Sequence, residues 1–197
     1  MKRFLIILAL FAVWLPGQAL AQTISQTVGN NAIGGNGLGQ SFTATVTGTV
    51  TQIEVRSRTN GAATVYFYNG ATGSGINSSP GTPVSSQAVV LVDQGSNTTG
   101  LQTIVLASPL PIVAGNSYSF AFSAANMAFN TADPYAGGAL LTGYDSPFGG
   151  FDLVFTATQV AAGPAPVPTL SEWAMILFGL TLAGGAAVIL QRRRFAA

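Results

Sequence analysis

Apolar and polar positions alternate along several stretches in the middle of the chain, most clearly over 52–56, 65–68 and 117–122. A period of two residues is typical of β-strands that bury one face. Asn60 and Gly61 stand between the first two stretches, and both residues accept the positive φ of a tight turn. The pattern therefore predicts a hairpin at this point.

Further strand-like runs lie at 87–92, 101–106, 138–142 and 152–158. Residues 28–39 are rich in Gly and Asn and are predicted to be a loose lead-in. No helical period appears between residues 22 and 160. Short strands separated by Gly- and Pro-rich turns predict an all-β domain over 22–160, an antiparallel β-sandwich of the jelly-roll type.

The beginning of the chain has the three-part pattern of a secretory signal. Lys2 and Arg3 precede an apolar run over 4–15. The small residues of a cleavage site and the first residue after it are Ala19, Ala21 and Gln22. Residues 1–21 are therefore predicted to be a signal peptide that signal peptidase removes. An uncleaved anchor is the alternative, although the apolar run is shorter than the roughly 20 residues of a membrane span.

The end of the chain has the pattern of a single membrane-spanning helix. Residues 173–190 carry no charge, and as a helix they would extend for about 27 Å, close to the thickness of a bilayer core. Arg192, Arg193 and Arg194 follow. Basic residues stay on the cytoplasmic side, so this stop-transfer cluster predicts a C-terminus that is initially cytoplasmic and a domain outside the cytoplasmic membrane.

A short motif precedes this helix. Thr169 and Glu172 have the spacing of a helix capping box, and Trp173 stands where an aromatic residue meets the membrane interface. The whole motif is Val167, Pro168, Thr169, Leu170, Ser171, Glu172 and Trp173. Residues 161–168 contain three prolines and are predicted to be a stiff spacer between the domain and the tail.

The order of motif, apolar helix and terminal arginines over 167–197 resembles the IPTL-CTERM sorting signal of Gram-negative bacteria, a relative of the PEP-CTERM tails that exosortases process. Val167 stands where that pattern has Ile, and Ala174 where Gly is usual. The resemblance implies cleavage near the motif by an exosortase-like membrane protease and delivery to the cell surface. A permanent single-pass anchor is the alternative.

The central domain has a looser resemblance to the choice-of-anchor modules that accompany such tails, through the segments 40–44, 114–120 and 135–138. Those modules resemble carbohydrate-binding jelly rolls. The resemblance implies a sandwich fold and brings no catalytic residues.

The composition of the domain limits its chemistry. Between residues 22 and 166 there is no His, Cys, Lys or Trp, so the usual general base, thiol nucleophile and Schiff-base amine are missing. The same segment contains two arginines and five acidic residues, so it does not have the basic patch of a nucleic-acid-binding protein. We expect no enzymatic activity, no cofactor and no nucleic-acid partner.

Two sets of residues are candidates for ligand contact. Asp133, Asp145 and Asp152 could supply oxygen ligands to calcium, although turn formation beside Pro and Gly is the favoured interpretation. Tyr135 and Tyr144 lie in Gly-rich loops and are candidates for a sugar-stacking face. The sequence thus predicts a non-catalytic cell-surface or matrix protein, with a displayed carbohydrate-binding module for surface polysaccharide as the alternative.

Overall fold

The computed structural model describes residues 21–29, 31–71, 80–95, 100–144, 146–148, 150–163 and 170–195. The chain divides into two compact units, one up to Gly163 and the other from Pro164 onwards. Thirteen strands lie in the described part of the first unit and one helix in that of the second.

The strands are β1 (Ala21–Gln26), β2 (Asn31–Gly35), β3 (Leu38–Thr43), β4 (Gly48–Val55), β5 (Gly61–Asn69), β6 (Ser85–Leu91), β7 (Gln102–Ile112), β8 (Ser117–Phe122), β9 (Ala125–Asn130), β10 (Leu140–Thr142), β11 (Ser146–Phe148), β12 (Asp152–Leu153) and β13 (Phe155–Ala161), and the helix is α1 (Leu170–Phe195).

Two antiparallel sheets form a sandwich. The four-stranded sheet has the order β1-β13-β4-β7, and the six-stranded sheet has the order β11-β10-β3-β8-β5-β6. A small third sheet has the order β12-β9-β2, and its strands do not pair with those of the two main sheets. The expected all-β, antiparallel class is therefore confirmed.

The core of the sandwich consists of the inward positions of the alternating stretches. Ile53 and Val55 of β4 are fully buried, and so are Phe120 and Phe122 of β8 in the opposite sheet. The rings of Phe120 and Phe155 lie 6.0 Å apart and join β8 to β13 across the two sheets. The alternation in the sequence thus becomes one shared apolar layer.

The hairpin predicted at Asn60 and Gly61 is wrong. The strand before these residues, β4, pairs with β13 and β7, whereas the strand after them, β5, pairs with β8 and β6. The turn therefore carries the chain from one sheet to the other, and the flanking alternating stretches face each other across the core. Gly61 does adopt a positive φ of 148°.

The predicted loose lead-in over 28–39 is also wrong, because it contains β2 and the start of β3. Glycine here permits close strand packing. A Cβ on Gly39 would lie 1.9 Å from the carbonyl oxygen of Phe120 in the neighbouring strand. The sheet therefore requires glycine at position 39, although a Gly-rich segment is typical of a loop.

The start of β1 and the end of β13 lie at one pole of the sandwich. In the register of β1 and β13, Ala21 lies opposite Val160, and Gly48 of β4 lies opposite Ala161. We call this end the tether pole. At the other end, the distal pole, Gln26 and Val55 both lie opposite Phe155.

The open edges of the two sheets are joined by two glutamine side chains. Gln87 of β6 donates to the carbonyl of Val105 at 3.0 Å and accepts from the amide of Ala107 at 2.8 Å. In return, Gln102 of β7 donates to the carbonyl of Val90 at 2.7 Å and accepts from the amide of Val92 at 2.9 Å. Each carboxamide occupies backbone groups that an unpaired edge strand would otherwise offer to another chain.

We expect the double change Gln87→Ala and Gln102→Ala to lower the free energy of unfolding by about 2 kcal/mol, because each side chain loses two partly exposed hydrogen bonds. The freed edges should also promote self-association. Urea unfolding and analytical ultracentrifugation measure the two effects. Ser86→Ala, an exposed change on the same strand, is the matched control, and equal behaviour of both variants would contradict the role of the glutamines.

Candidate functional site

The described part of the C-terminal unit is the helix α1, which begins at Leu170, directly after Thr169, and ends at Phe195. The segment predicted as a helix, 173–190, lies inside it. The hydroxyl of Thr181 donates to the carbonyl of Phe178 at 2.8 Å, so this polar group is paired within the helix itself. The helix continues through the arginine cluster, in keeping with the good helix propensity of Arg.

Large apolar side chains are exposed along this helix. They are Trp173, Met175, Ile176, Leu177, Phe178, Leu180, Leu182, Val188 and Ile189. Exposed apolar patches of this kind are typical of surfaces that meet a membrane or another protein.

Within the part of the chain that the structure describes, no helix meets the combined length and apolarity of a membrane span. The transmembrane prediction for 173–190 is therefore not confirmed.

Several predicted site residues lie outside the described ranges. These are Val167, Pro168 and Thr169 of the motif, Ala19 of the cleavage site and Asp145. The backbone of α1 includes Leu170, Ser171, Glu172, Arg193 and Arg194, but their side chains are not described, so the capping box stays a prediction.

The two cleavage-site residues that are described belong to the sandwich. Ala21 and Gln22 begin β1 and pair with Val160 and Gln159. The side-chain oxygen of Gln22 accepts a hydrogen bond from the hydroxyl of Thr45 at 3.0 Å. A chain cut before Gln22 would therefore keep nearly all of β1.

Comparison with known protein families settles the nature of the C-terminal unit. Residues 165–194 match the IPTL-CTERM motif. The resemblance drawn from the motif, the apolar helix and the arginines is thereby confirmed. No curated protein and no solved structure matches the chain significantly.

The IPTL-CTERM segment lies within the C-terminal unit. Its match begins two residues after the sandwich unit ends at Gly163. The fold and the sorting signal are consecutive and share no residue.

Tyr144 does not offer the open ring that sugar stacking requires, because it is only 3% exposed. It packs on the outer face of the six-stranded sheet beside Tyr68, and its ring meets that of Tyr66 edge to face at 5.8 Å. Burial raises the pKa of the Tyr144 hydroxyl above its ordinary value. Its backbone has a φ of 76°, and its amide donates to the carbonyl of Gly37 at 3.0 Å.

Tyr135 lies elsewhere and is half-buried. Its ring packs edge to face on Phe155 of the core at 5.5 Å, and its hydroxyl accepts a hydrogen bond from the amide of Thr43 at 3.1 Å. Burial raises the pKa of this hydroxyl. Tyr135 and Tyr144 belong to different apolar clusters, so they do not form one ligand face. Tyr66 and Tyr68 are the actual neighbours of Tyr144, a proximity that strand alternation alone does not reveal.

Asp152 is fully buried and serves the fold. Its two carboxylate oxygens accept hydrogen bonds from Gln40 Nε2 at 2.7 Å and from the amide of Tyr135 at 2.9 Å. Gln40 also accepts from the amide of Leu153 at 2.8 Å. This network fastens the segment before β10 to the six-stranded sheet.

The predicted calcium ligands are only partly brought together. Asp133, at a φ of 45°, is near enough to the carboxyl group of Asp152 to influence its pKa. Burial, opposed by the two hydrogen bonds and reinforced by Asp133, raises the pKa of Asp152. Within the described ranges no three acidic, His or Cys side chains converge on a metal position. The favoured interpretation, turn formation, is wrong for Asp152, which lies in β12 and accepts its hydrogen bonds from Gln40 and Tyr135, both distant in the sequence.

We expect the stability of the protein to fall as the pH rises through the titration of Asp152. Because its pKa is raised above the ordinary 3.8, the folded chain holds a proton that the unfolded chain releases. The stabilisation is complete below about 3.8 and is lost as the pH passes the folded pKa. Asp152→Asn, which resembles the protonated form, should remove this component.

Urea unfolding from about pH 3 to about pH 8 measures the effect, because this interval covers the titration of carboxyl groups in proteins. The control is Asp93→Asn, an exposed change of the same charge. An Asp152→Asn variant with the same pH dependence as the Asp93→Asn variant would contradict the expectation.

Proposed function

We propose that the chain is an exported, non-catalytic cell-surface or extracellular-matrix protein whose tail is processed by an exosortase-like membrane protease. The observation that carries the proposal is the IPTL-CTERM match over 165–194. The signal-peptide pattern over 1–21 supports export, and signal peptidase is the other processing partner.

The separation of the two units supports processing. The last strand of the sandwich ends at Ala161, before the match begins. A cut within 164–170 would release the apolar helix and leave every described strand of the sandwich intact. The product would carry no strongly apolar segment at its C-terminus.

Membrane insertion of the tail before processing is a further part of the proposal. It rests on the sequence of 173–190, which has no charged residue and is followed at once by basic residues. Such a segment stops translocation with its basic end in the cytoplasm. The domain would then stand outside the cytoplasmic membrane of a Gram-negative-type cell.

The burial and hydrogen bonding of Asp152 support the absence of catalysis. A glycosidase needs two carboxyl groups that flank a sugar in a cleft. Asp152 has no exposed surface, and Gln40 and Tyr135 occupy its oxygens. The pair that it forms with Asp133 is therefore a poor candidate for acid–base work on a substrate.

We interpret the sandwich as a jelly roll. When the short strands β2 and β9 to β12 are set aside, eight strands remain, and numbered along the chain they follow the orders 1-8-3-6 and 2-7-4-5 in the two sheets. The chain crosses repeatedly between the sheets, as in folds built from two Greek keys. This order supports the interpretation.

We expect most of the protein to become accessible to added protease on intact cells that contain the exosortase-like enzyme. In cells without that enzyme, it should stay in the cytoplasmic-membrane fraction. The double change Pro168→Ala and Thr169→Ala should have the same effect as loss of the enzyme, because it alters the recognised motif. Cell fractionation and surface proteolysis measure the distribution.

The matched control is Leu182→Ala, a change within the apolar helix that leaves the motif intact. It should be distributed as the unchanged protein. If the protein has the same distribution with and without the enzyme, it is a permanently anchored protein and the sorting proposal is wrong.

A further inference from the structure

The first strand of the sandwich, β1, has one open edge. Among the described strands it pairs only with β13, and none of its backbone groups is hydrogen-bonded to any other described residue. The side chains of Thr23 and Ser25 are exposed. An edge of this kind offers a row of amides and carbonyls to a further strand.

The pairing of β13 with β4 shows which way the backbone groups of β13 point. Just before β13, the carbonyl of Val154 accepts a hydrogen bond from the amide of Arg56 at 3.3 Å. Just after β13, the amide of Ala162 donates to the carbonyl of Thr47 at 2.9 Å. Both bonds lie on the side of β4. Because backbone groups alternate in direction along a strand, the even-numbered residues from 154 to 162 point to β4.

The odd-numbered residues of β13 therefore point to β1. In the register of the two strands they lie opposite Gln22, Ile24 and Gln26, so these three residues bond to β13. By the same alternation, Thr23 and Ser25 direct their amides and carbonyls out of the sheet.

The other edges of the described sheets are blocked, short or interrupted. Gln87 and Gln102 join the edges of β6 and β7, and β11 has three residues with Pro147 at its centre. In the third sheet, β12 has two residues, and β2 contains Gly34 and Gly35, which weaken a strand. β1 has six residues and no Pro, Gly or charged residue. It lacks the features that prevent pairing at an edge.

A second copy of β1 fits this edge in one antiparallel register. When Ile24 lies opposite Ile24 of the second copy, Thr23 lies opposite Ser25 and Ser25 lies opposite Thr23. Each of these two pairs exchanges both of its hydrogen bonds, so every outward amide and carbonyl between Gln22 and Gln26 is satisfied. Registers centred on Thr23 or Ser25 would form half as many bonds within the same five residues.

The side chains of two paired copies are also compatible. No residue of β1 is charged, so the copies do not repel each other. Thr23 and Ser25 place two hydroxyl groups side by side on the outer face, a favourable cross-strand pair. Ile24 is 6% exposed in the single chain, and on the core side it meets the same residue of the second copy.

We propose that two copies of the protein associate through β1, which pairs antiparallel with itself about a twofold axis at Ile24. The four-stranded sheets of the two copies then form one continuous sheet. The contact uses the same surface on both copies, so it closes at a dimer. One pair of short strands is at the low end of interface sizes, and the dimer is therefore weak. The register rests on the proposed removal of residues 1–21 and is independent of the processing of the tail.

The test uses the full chain, produced with its own leader and purified from the membrane in detergent. Mass spectrometry of the N-terminal peptide determines whether the chain begins at Gln22. Sedimentation equilibrium at protein concentrations from about 1 μM to about 1 mM covers the dissociation constants of weak complexes. A dimer whose fraction rises with concentration is expected.

The like-charge variant carries Thr23→Lys and Ser25→Lys. In the proposed register it places two positive charges directly opposite each other at both hydrogen-bonded pairs, and such pairs are destabilising. Its dissociation constant should rise by about tenfold or more. Both side chains are exposed in the single chain, so its urea unfolding should match that of the unchanged protein.

The matched control is the opposite-charge variant, Thr23→Lys with Ser25→Glu. In the proposed register each positive charge lies opposite a negative one, so this variant should dimerise at least as well as the unchanged protein. A register centred on Thr23 or Ser25 would instead bring like charges together. Association through α1 would be the same in all variants.

Three results would overturn the proposal: no dimer at any concentration, equal dimerisation by the like-charge variant and the unchanged protein, or loss of the dimer in both variants. The second result would assign the contact to another surface, such as α1 or the edge of β2. The third would contradict the twofold register. A chain that retains residues 1–21 would contradict signal-peptide removal, whereas the response of the two variants would still decide the contact at β1.

Discussion

The sandwich depends on the insertion of its last strand between its first strand and β4. Among the described strands, β1 pairs only with β13, and β13 also pairs with β4 along seven residues. Without β13, β1 has no partner and the four-stranded sheet is divided. The contacts that complete the fold thus join residues a hundred or more positions apart, and such non-local pairing is slow to form.

This constraint connects the fold to export. β13 ends at Ala161, and the IPTL-CTERM segment begins at residue 165. In the proposed order of events, the last strand reaches the outside only shortly before the tail enters the membrane. The tail would then hold a complete domain in place while it folds, and cleavage would release a domain that is already closed. The position of the signal directly after the closing strand suits this order.

The pairing of β1 with β13 also distinguishes the two poles of the sandwich. The pairing of Ala21 with Val160 places the start of β1 and the end of β13 at the tether pole. The third sheet lies at the distal pole, beside the end of β4 and the start of β13.

The sequence predicted what depends on local pattern. The alternation at 52–56 and 117–122 correctly identified core strands, and the VPTLSEW motif with its arginines identified the sorting signal. Pairing of distant segments was not predictable in this way. Asn60 and Gly61 satisfied the rule for a hairpin, but the choice of sheet is made by packing across the core. Tyr144 lies in a Gly-rich loop in the sequence, yet its ring is buried because β5 and β8 supply a site for it.

The most direct test of the account is the intact mass of the mature protein recovered from the cell envelope. The account predicts one chain that starts at Gln22 and ends within 164–170, so that β1 and β13 are both present and the apolar helix is absent. A mass that includes residues 173–190 would contradict removal of the tail. A chain that ends before residue 155 would contradict the requirement for the closing strand.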